Sequence, residues 1–203
     1  PFYLFRRLNM KKLFLFFILL NSLLIVACSS VATNPDNLTE QTSKPDRRSH
    51  EAISTDKIIE TEATAELNSD DEITSQSHIT INAYNGAILI SGETANEALK
   101  NKIVSIVQVI PNVTLIHDNL LIEPPSDANS RANDQLITDT IRTALTQIKS
   151  LPDFDPAMIQ VVTENGTVFL MGIVRRDEGA IVIKITRLQP GVKQIITLFE
   201  YAD

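Results

Sequence analysis

The chain has 203 residues, 18 basic against 25 acidic groups, a formal net charge of −7 and a sequence pI near 5.0. That balance argues against a nucleic-acid binder, which needs a basic footprint. One cysteine and no tryptophan are present, so an intramolecular disulfide is excluded.

Met10, Lys11 and Lys12 precede an apolar run over residues 13–26, interrupted at Asn21 and Ser22. This is the layout of a secretory signal peptide, and the run is short against the roughly 20 residues a membrane span needs. Residues 1–9 read as sequence upstream of the true start at Met10. Ile25-Val26-Ala27-Cys28 fits the lipobox of bacterial lipoproteins, which predicts a signal peptide over residues 1–27 and lipid attachment at Cys28. A thioether there excludes thiol catalysis and zinc-cysteine sites. By analogy with lipoprotein sorting, Ser29 in place of aspartate favours the outer membrane. Several acyl chains, at about 0.8 kcal/mol per buried methylene, hold such a protein almost permanently. Residues 28–50 are rich in Ser, Thr, Asn, Asp and Pro, which predicts a disordered tether.

Beyond the tether one pattern occurs twice. Asn85-Gly86-Ala87-Ile88-Leu89-Ile90-Ser91-Gly92 recurs as Asn165-Gly166-Thr167-Val168-Phe169-Leu170-Met171-Gly172, 80 residues later. Asn-Gly before a strand-like run signals a hairpin closed by a type I′ turn. Alternating residues precede it in both copies, Ile79 to Ala83 and Ile159 to Thr163. A helical stretch follows, ending at Pro111-Asn112-Val113 and at Pro190-Gly191-Val192. Each copy closes on an apolar strand, residues 113–122 and 192–201, and opens with a helix, near residues 56–67 and 134–148. The unit reads helix, strand, strand, helix, strand. The expected fold is α+β: two tandem αββαβ domains, residues 51–123 and 131–203, joined by a linker over residues 124–130 that Pro124-Pro125 stiffens.

The opening helix of the second copy carries Ile137, Ile141, Ala144, Leu145 and Ile148 at helical spacing, one apolar stripe that should face its own sheet. Leu136 lies roughly 100° off that stripe, as Ile58 does in the first copy. Leu136 either packs on the first copy or the linker, or stays exposed for a contact outside the domain. In each domain two helices should cover one face of a three-stranded sheet. The other face is left apolar, by either Phe169 and Met171 or Val168 and Leu170.

No catalytic constellation emerges, so an enzyme is not expected, nor a cofactor. His50, His78 and His117 are scattered, and no ligand-spaced cluster suggests a metal. Asp70-Asp71-Glu72 reads as a solvated loop. Charge differs between the copies: residues 51–123 hold 3 basic and 12 acidic groups, net −9, whereas residues 130–203 hold 8 and 9, net −1. An anionic surface would repel the first copy and tolerate the second.

The duplicated unit resembles the BON domain, a small αββαβ module of bacterial envelope proteins, and the layout resembles dual-BON outer-membrane lipoproteins. The run Thr163 to Gly172 is especially close, and Asn112 departs from the pattern where the second copy has Gly191. The resemblance implies binding of anionic phospholipid by the opening helix of the second domain. It also implies a role in outer-membrane integrity on the periplasmic face. Asn133-Asp134-Gln135-Leu136-Ile137-Thr138 keeps the family frame Asn-Asp-x-Trp-Ile-Thr but replaces its Trp by Leu136. The candidate lipid-binding residues are therefore Asn133, Leu136, Ile137 and Arg142, the last either a donor to a lipid phosphate or a solvated side chain. The alternative is a protein-interaction scaffold for outer-membrane assembly proteins, with no lipid contact beyond the acyl anchor.

Overall fold

The computed structural model describes residues 46–202. The signal peptide, Cys28 and most of the expected tether lie outside the described residues.

In the first half α1 (His50–Asn68) leads to α2 (Asp71–Gln76), β1 (Ser77–Tyr84), β2 (Ala87–Thr94), α3 (Glu97–Gln108) and β3 (Leu115–Ile122). In the second, α4 (Ala128–Leu145) leads to a 3₁₀ turn at Pro156–Met158. Then come β4 (Ile159–Glu164), β5 (Thr167–Val174), α5 (Arg176–Arg187) and β6 (Gln194–Tyr201). Each half forms a three-stranded sheet, in the order β1-β2-β3 and β4-β5-β6. The central strand is antiparallel to the first and parallel to the third. A parallel neighbour needs a crossover, which α3 and α5 supply. The doubled αββαβ pattern read from the sequence is thus the fold.

Four local expectations need correction. The acidic run is not a loop: Asp70 caps α2, its carboxylate accepting from the Glu72 and Ile73 amides, and the helix carries Ile73 into the core. The last three residues of the expected linker, 128–130, are helical, because Asp127 caps α4 by accepting from the Ser130 amide at 2.8 Å. α4 stops at Leu145, so Ile148 is buried beyond the helix rather than on its stripe. Residues 46–50, expected to be tether, are ordered. Arg47 donates to the Ile173 carbonyl at 2.9 Å and to both oxygens of Glu178 at 2.6 and 2.8 Å. Arg48 pairs with Asp46 and with Asp56, and its guanidinium lies 3.7 Å over the Tyr84 ring. Composition suggested solvation, but a fully buried Glu178 demands cationic partners. The hydrogen bond from Arg47 is the first cause holding the Glu178 carboxyl below its ordinary range.

Both Asn-Gly pairs form the type I′ turn. Asn85 and Gly86 have φ of 52° and 79°, Asn165 and Gly166 of 47° and 74°. Asn112 adopts φ 67°, so the turn closed by Gly191 in the second copy survives in the first.

The helix-facing core of the first half holds Ile59, Ala63, Ile88, Ile90, Ile103 and Val107. That of the second holds Ile137, Ile141, Leu145, Val168, Leu170 and Val182. Val168 and Leu170 therefore face the helices. Phe169 and Met171 face the other way and pack with Val162 against Tyr84 and Leu89 of the first sheet. The two uncovered sheet faces cover each other. Polar bonds cross the same seam: Tyr84 donates to the Met158 carbonyl at 2.9 Å and Gln160 to the Asn82 side chain at 3.0 Å. Burial pushes the Tyr84 phenol up to about 12, with Asp46 adding to the shift.

Candidate functional site

The end of the second domain is assembled by one carboxylate. Asp134 is buried, and its two oxygens accept from the Asn165 and Gly166 amides at 2.8 Å each. Asp56 does the same for Asn85 and Gly86, also at 2.8 Å each. The second turn of α4 is thereby fixed to the hairpin tip. The loop after α5 closes over it: a Cβ on Gly191 would lie 2.8 Å from the Ile137 side chain. Lys193 reaches back to donate to the Asn165 side chain at 2.9 Å.

The candidate residues fare differently within this frame. Asn133 is exposed. Leu136 is 64% exposed and packs on neither the first domain nor the linker. Ile137 is a correction: it is 3% exposed, in the core beneath the Gly191 loop, and cannot reach a ligand. The turn of about 100° per residue separates these two neighbours completely. Arg142 is half exposed but engaged, donating to the Val161 carbonyl at 3.2 Å and lying 3.8 Å from Asp139. It ties α4 to β4, about 120° round the helix from Leu136. Cys28 lies outside the described residues.

A second aliphatic residue was missed. Leu188, the residue that ends α5 three positions before Gly191, is 74% exposed. Ile58 and Val109 hold the matching places in the first domain, 53% and 79% exposed. What distinguishes the two ends is charge. Exposed Lys184, Arg187 and Lys193 stand where the first domain has Ser105, Gln108 and Thr114. The repeat offset alone would have revealed Leu188, Asp56 and Asp134, had it been followed outward from the turns.

The BON domain family matches residues 55–124 and 133–203. The chain belongs to this family. Its two halves are BON1 and BON2. It is 25% identical over 152 residues to the outer membrane lipoprotein DolP of Haemophilus influenzae, covering 73% of this chain and 75% of that protein. It is 23% identical over 148 residues to the 21 kDa hemolysin of Actinobacillus pleuropneumoniae, again 73% and 75%. A solved C-terminal domain of CdsD, the structural protein of the type III secretion system of Chlamydia trachomatis, aligns at 15% identity. It covers 73% of this chain and 67% of that one, with a TM-score of 0.29.

Between BON1 and BON2 lies a polar cavity of about 260 Å³, lined by His78, Thr80 and Asn82 of β1, Glu164 of β4, and Arg131 and Arg142 of α4. Among the described residues no group of three His, Cys, Asp or Glu is placed to hold a metal ion. No helix among them is long and apolar enough to cross a membrane.

Proposed function

We propose that this BON protein is a non-enzymatic outer-membrane lipoprotein, acylated at Cys28 and facing the periplasm. In this reading BON2 binds anionic phospholipid and thereby supports outer-membrane integrity. The observation that carries it is Leu136: a large aliphatic side chain, 64% exposed, on the third turn of a helix whose own apolar stripe is already buried. Leu188 leaves the same end of BON2, and Lys184, Arg187 and Lys193 supply the positive charge that anionic headgroups attract. BON1 offers a similar aliphatic pair without those cations, under its net charge of −9. The name of the Haemophilus influenzae relative, an outer membrane lipoprotein, supports the location.

Inserting one leucine contributes about 1.5–3 kcal/mol, and 1.4 kcal/mol is a factor of ten. Leu136→Glu should therefore reduce co-sedimentation of the acyl-free chain with phosphatidylglycerol vesicles by tenfold or more, leaving the melting temperature close to that of the parent. Ile141→Glu places a charge at a fully buried site and should unfold BON2. Equal unfolding by both variants would make Leu136 a structural residue. Parent protein that ignores anionic and neutral vesicles alike would move the weight to the scaffold reading, with the Leu136 end as a protein-docking surface.

The anchor has its own test. Cys28→Ala should abolish incorporation of a clickable fatty acid in growing cells and leave the precursor uncleaved. Label retained by the variant would refute lipid attachment at that residue.

A further inference from the structure

The cavity between the domains holds charges that the proposed lipid contact does not use. We propose that the BON1–BON2 seam is a proton-operated joint, closed while Glu164 carries a proton and loosened when Glu164 ionises.

Glu164 ends β4 and points into the seam, 7% exposed. From β1 it meets Thr80, whose hydroxyl donates at 3.4 Å, and His78, whose Nε2 is 3.9 Å away. From β2 it faces Glu93, which is 2% exposed and accepts from the Ser126 amide at 3.1 Å. From α4 it faces Asp134, whose oxygens are held by the Asn165 and Gly166 amides, and Arg131. On its other side a second cavity brings in Asp118 of β3. Neither arginine bonds to it directly: Arg131, whose charge favours the ionised form, donates to the Ser126 carbonyl, and Arg142 to that of Val161. An ionised Glu164 would thus sit buried beside two other carboxylates, with the long Thr80 hydrogen bond, the Arg131 charge and a 3.9 Å contact to an imidazole as its only compensation. The charges in the cavity are mixed in sign, which suits neither a bulk anion nor a bulk cation. A proton fits, and the cavity is polar and roomy enough for water to carry it.

Burial, then Glu93 and Asp134, push the Glu164 carboxyl up to about 7. Its folded value lies above the ordinary 4.5, so its contribution to closure is lost as pH rises through about 7. Burial holds His78 below its ordinary 6.5, so charging it opposes closure as pH falls through that lowered value. The two groups pull in opposite senses. The larger shift belongs to Glu164, so the joint opens toward alkaline pH.

Amide hydrogen exchange on the full chain in detergent tests this, with rates corrected for intrinsic base catalysis. Opening of the seam amides of β1 and β4 should rise about tenfold from pH 5 to pH 8, and further in His78→Gln, where the opposing group is gone. In Glu164→Gln, which mimics the acid form, the rise should vanish or reverse. The same rise in Glu164→Gln as in the parent would overturn the proposal. A carboxyl carbon titration of the parent is the second readout, needing no variant. A Glu164 midpoint near 4.5 would overturn the proposal equally. Both readouts are independent of vesicle binding, so failure here leaves the lipid reading untouched.

Discussion

Gly92→Ala should unfold BON1. Gly92 lies in the middle of the first sheet, on β2, with φ of +115°, a region that side chains with a Cβ rarely enter. A Cβ there would stand 2.0 Å from the His78 carbonyl oxygen and 3.0 Å from its carbon. Those are backbone atoms, so no rotamer change relieves the overlap. Strands on both sides also keep β2 from shifting, since Gly92 pairs with Ile79 and with Leu120. The strain and the lost pairing together should cost about 4 kcal/mol or more, a large share of the stability of a domain this small. The expected result is loss of the dispersed amide resonances of BON1. BON2 resonances should persist but shift where Phe169 and Met171 lose the opposing sheet. A native BON1 spectrum with an unchanged urea midpoint would refute the geometry. Gly172 is the instructive contrast. Its φ is not positive, and the nearest atom to an added Cβ is the Met158 carbonyl oxygen at 2.7 Å, in a 3₁₀ turn at the edge. Alanine there should be milder.

Asp134→Ala should be the most damaging polar change in BON2. It leaves two amide groups, those of Asn165 and Gly166, without the carboxylate that now accepts from both at 2.8 Å. Hydrogen bonds to a charged group contribute about 1.5–3 kcal/mol each, and an unpaired buried donor costs a similar amount. A loss of roughly 3 kcal/mol in urea denaturation is expected, with the largest amide shift changes at Asn165 and Gly166. Asp134→Asn keeps one acceptor and should fall between parent and alanine. Asp56→Ala should repeat the effect in BON1 and also strip Arg48 of a partner 2.9 Å away. A loss below about 0.5 kcal/mol, the level of an ordinary surface substitution, would show that the turns hold without their carboxylates.

Much of this protein was legible in its sequence because local chemistry decided it. Asn-Gly accepts positive φ at both positions, so the conformation of the two hairpin tips was readable from their own residues. Alternation before the turns and the helical spacing of Ile137, Ile141 and Leu145 gave the element types and the inward stripe, and the repeat gave two copies of one fold. Helix ends were less legible, since α2 and the start of α4 depend on single caps, Asp70 and Asp127, whose residue type suits loops equally well.

Only the tertiary structure decided what faces what. Alternation offered Phe169 with Met171 or Val168 with Leu170 as the outer pair. The choice fell when the first sheet presented Tyr84 and Leu89 to receive Phe169 and Met171. Leu136 off its stripe was visible from helix geometry, but its exposure required knowing that nothing from BON1 covers it. The charged groups were least legible of all. Arg47 and Glu178 are 131 residues apart and Thr80 and Glu164 are 84 apart, and no local pattern links such pairs. Their meeting, and the burial that raises Glu164, arise from the packing of two sheets that the sequence describes only one at a time.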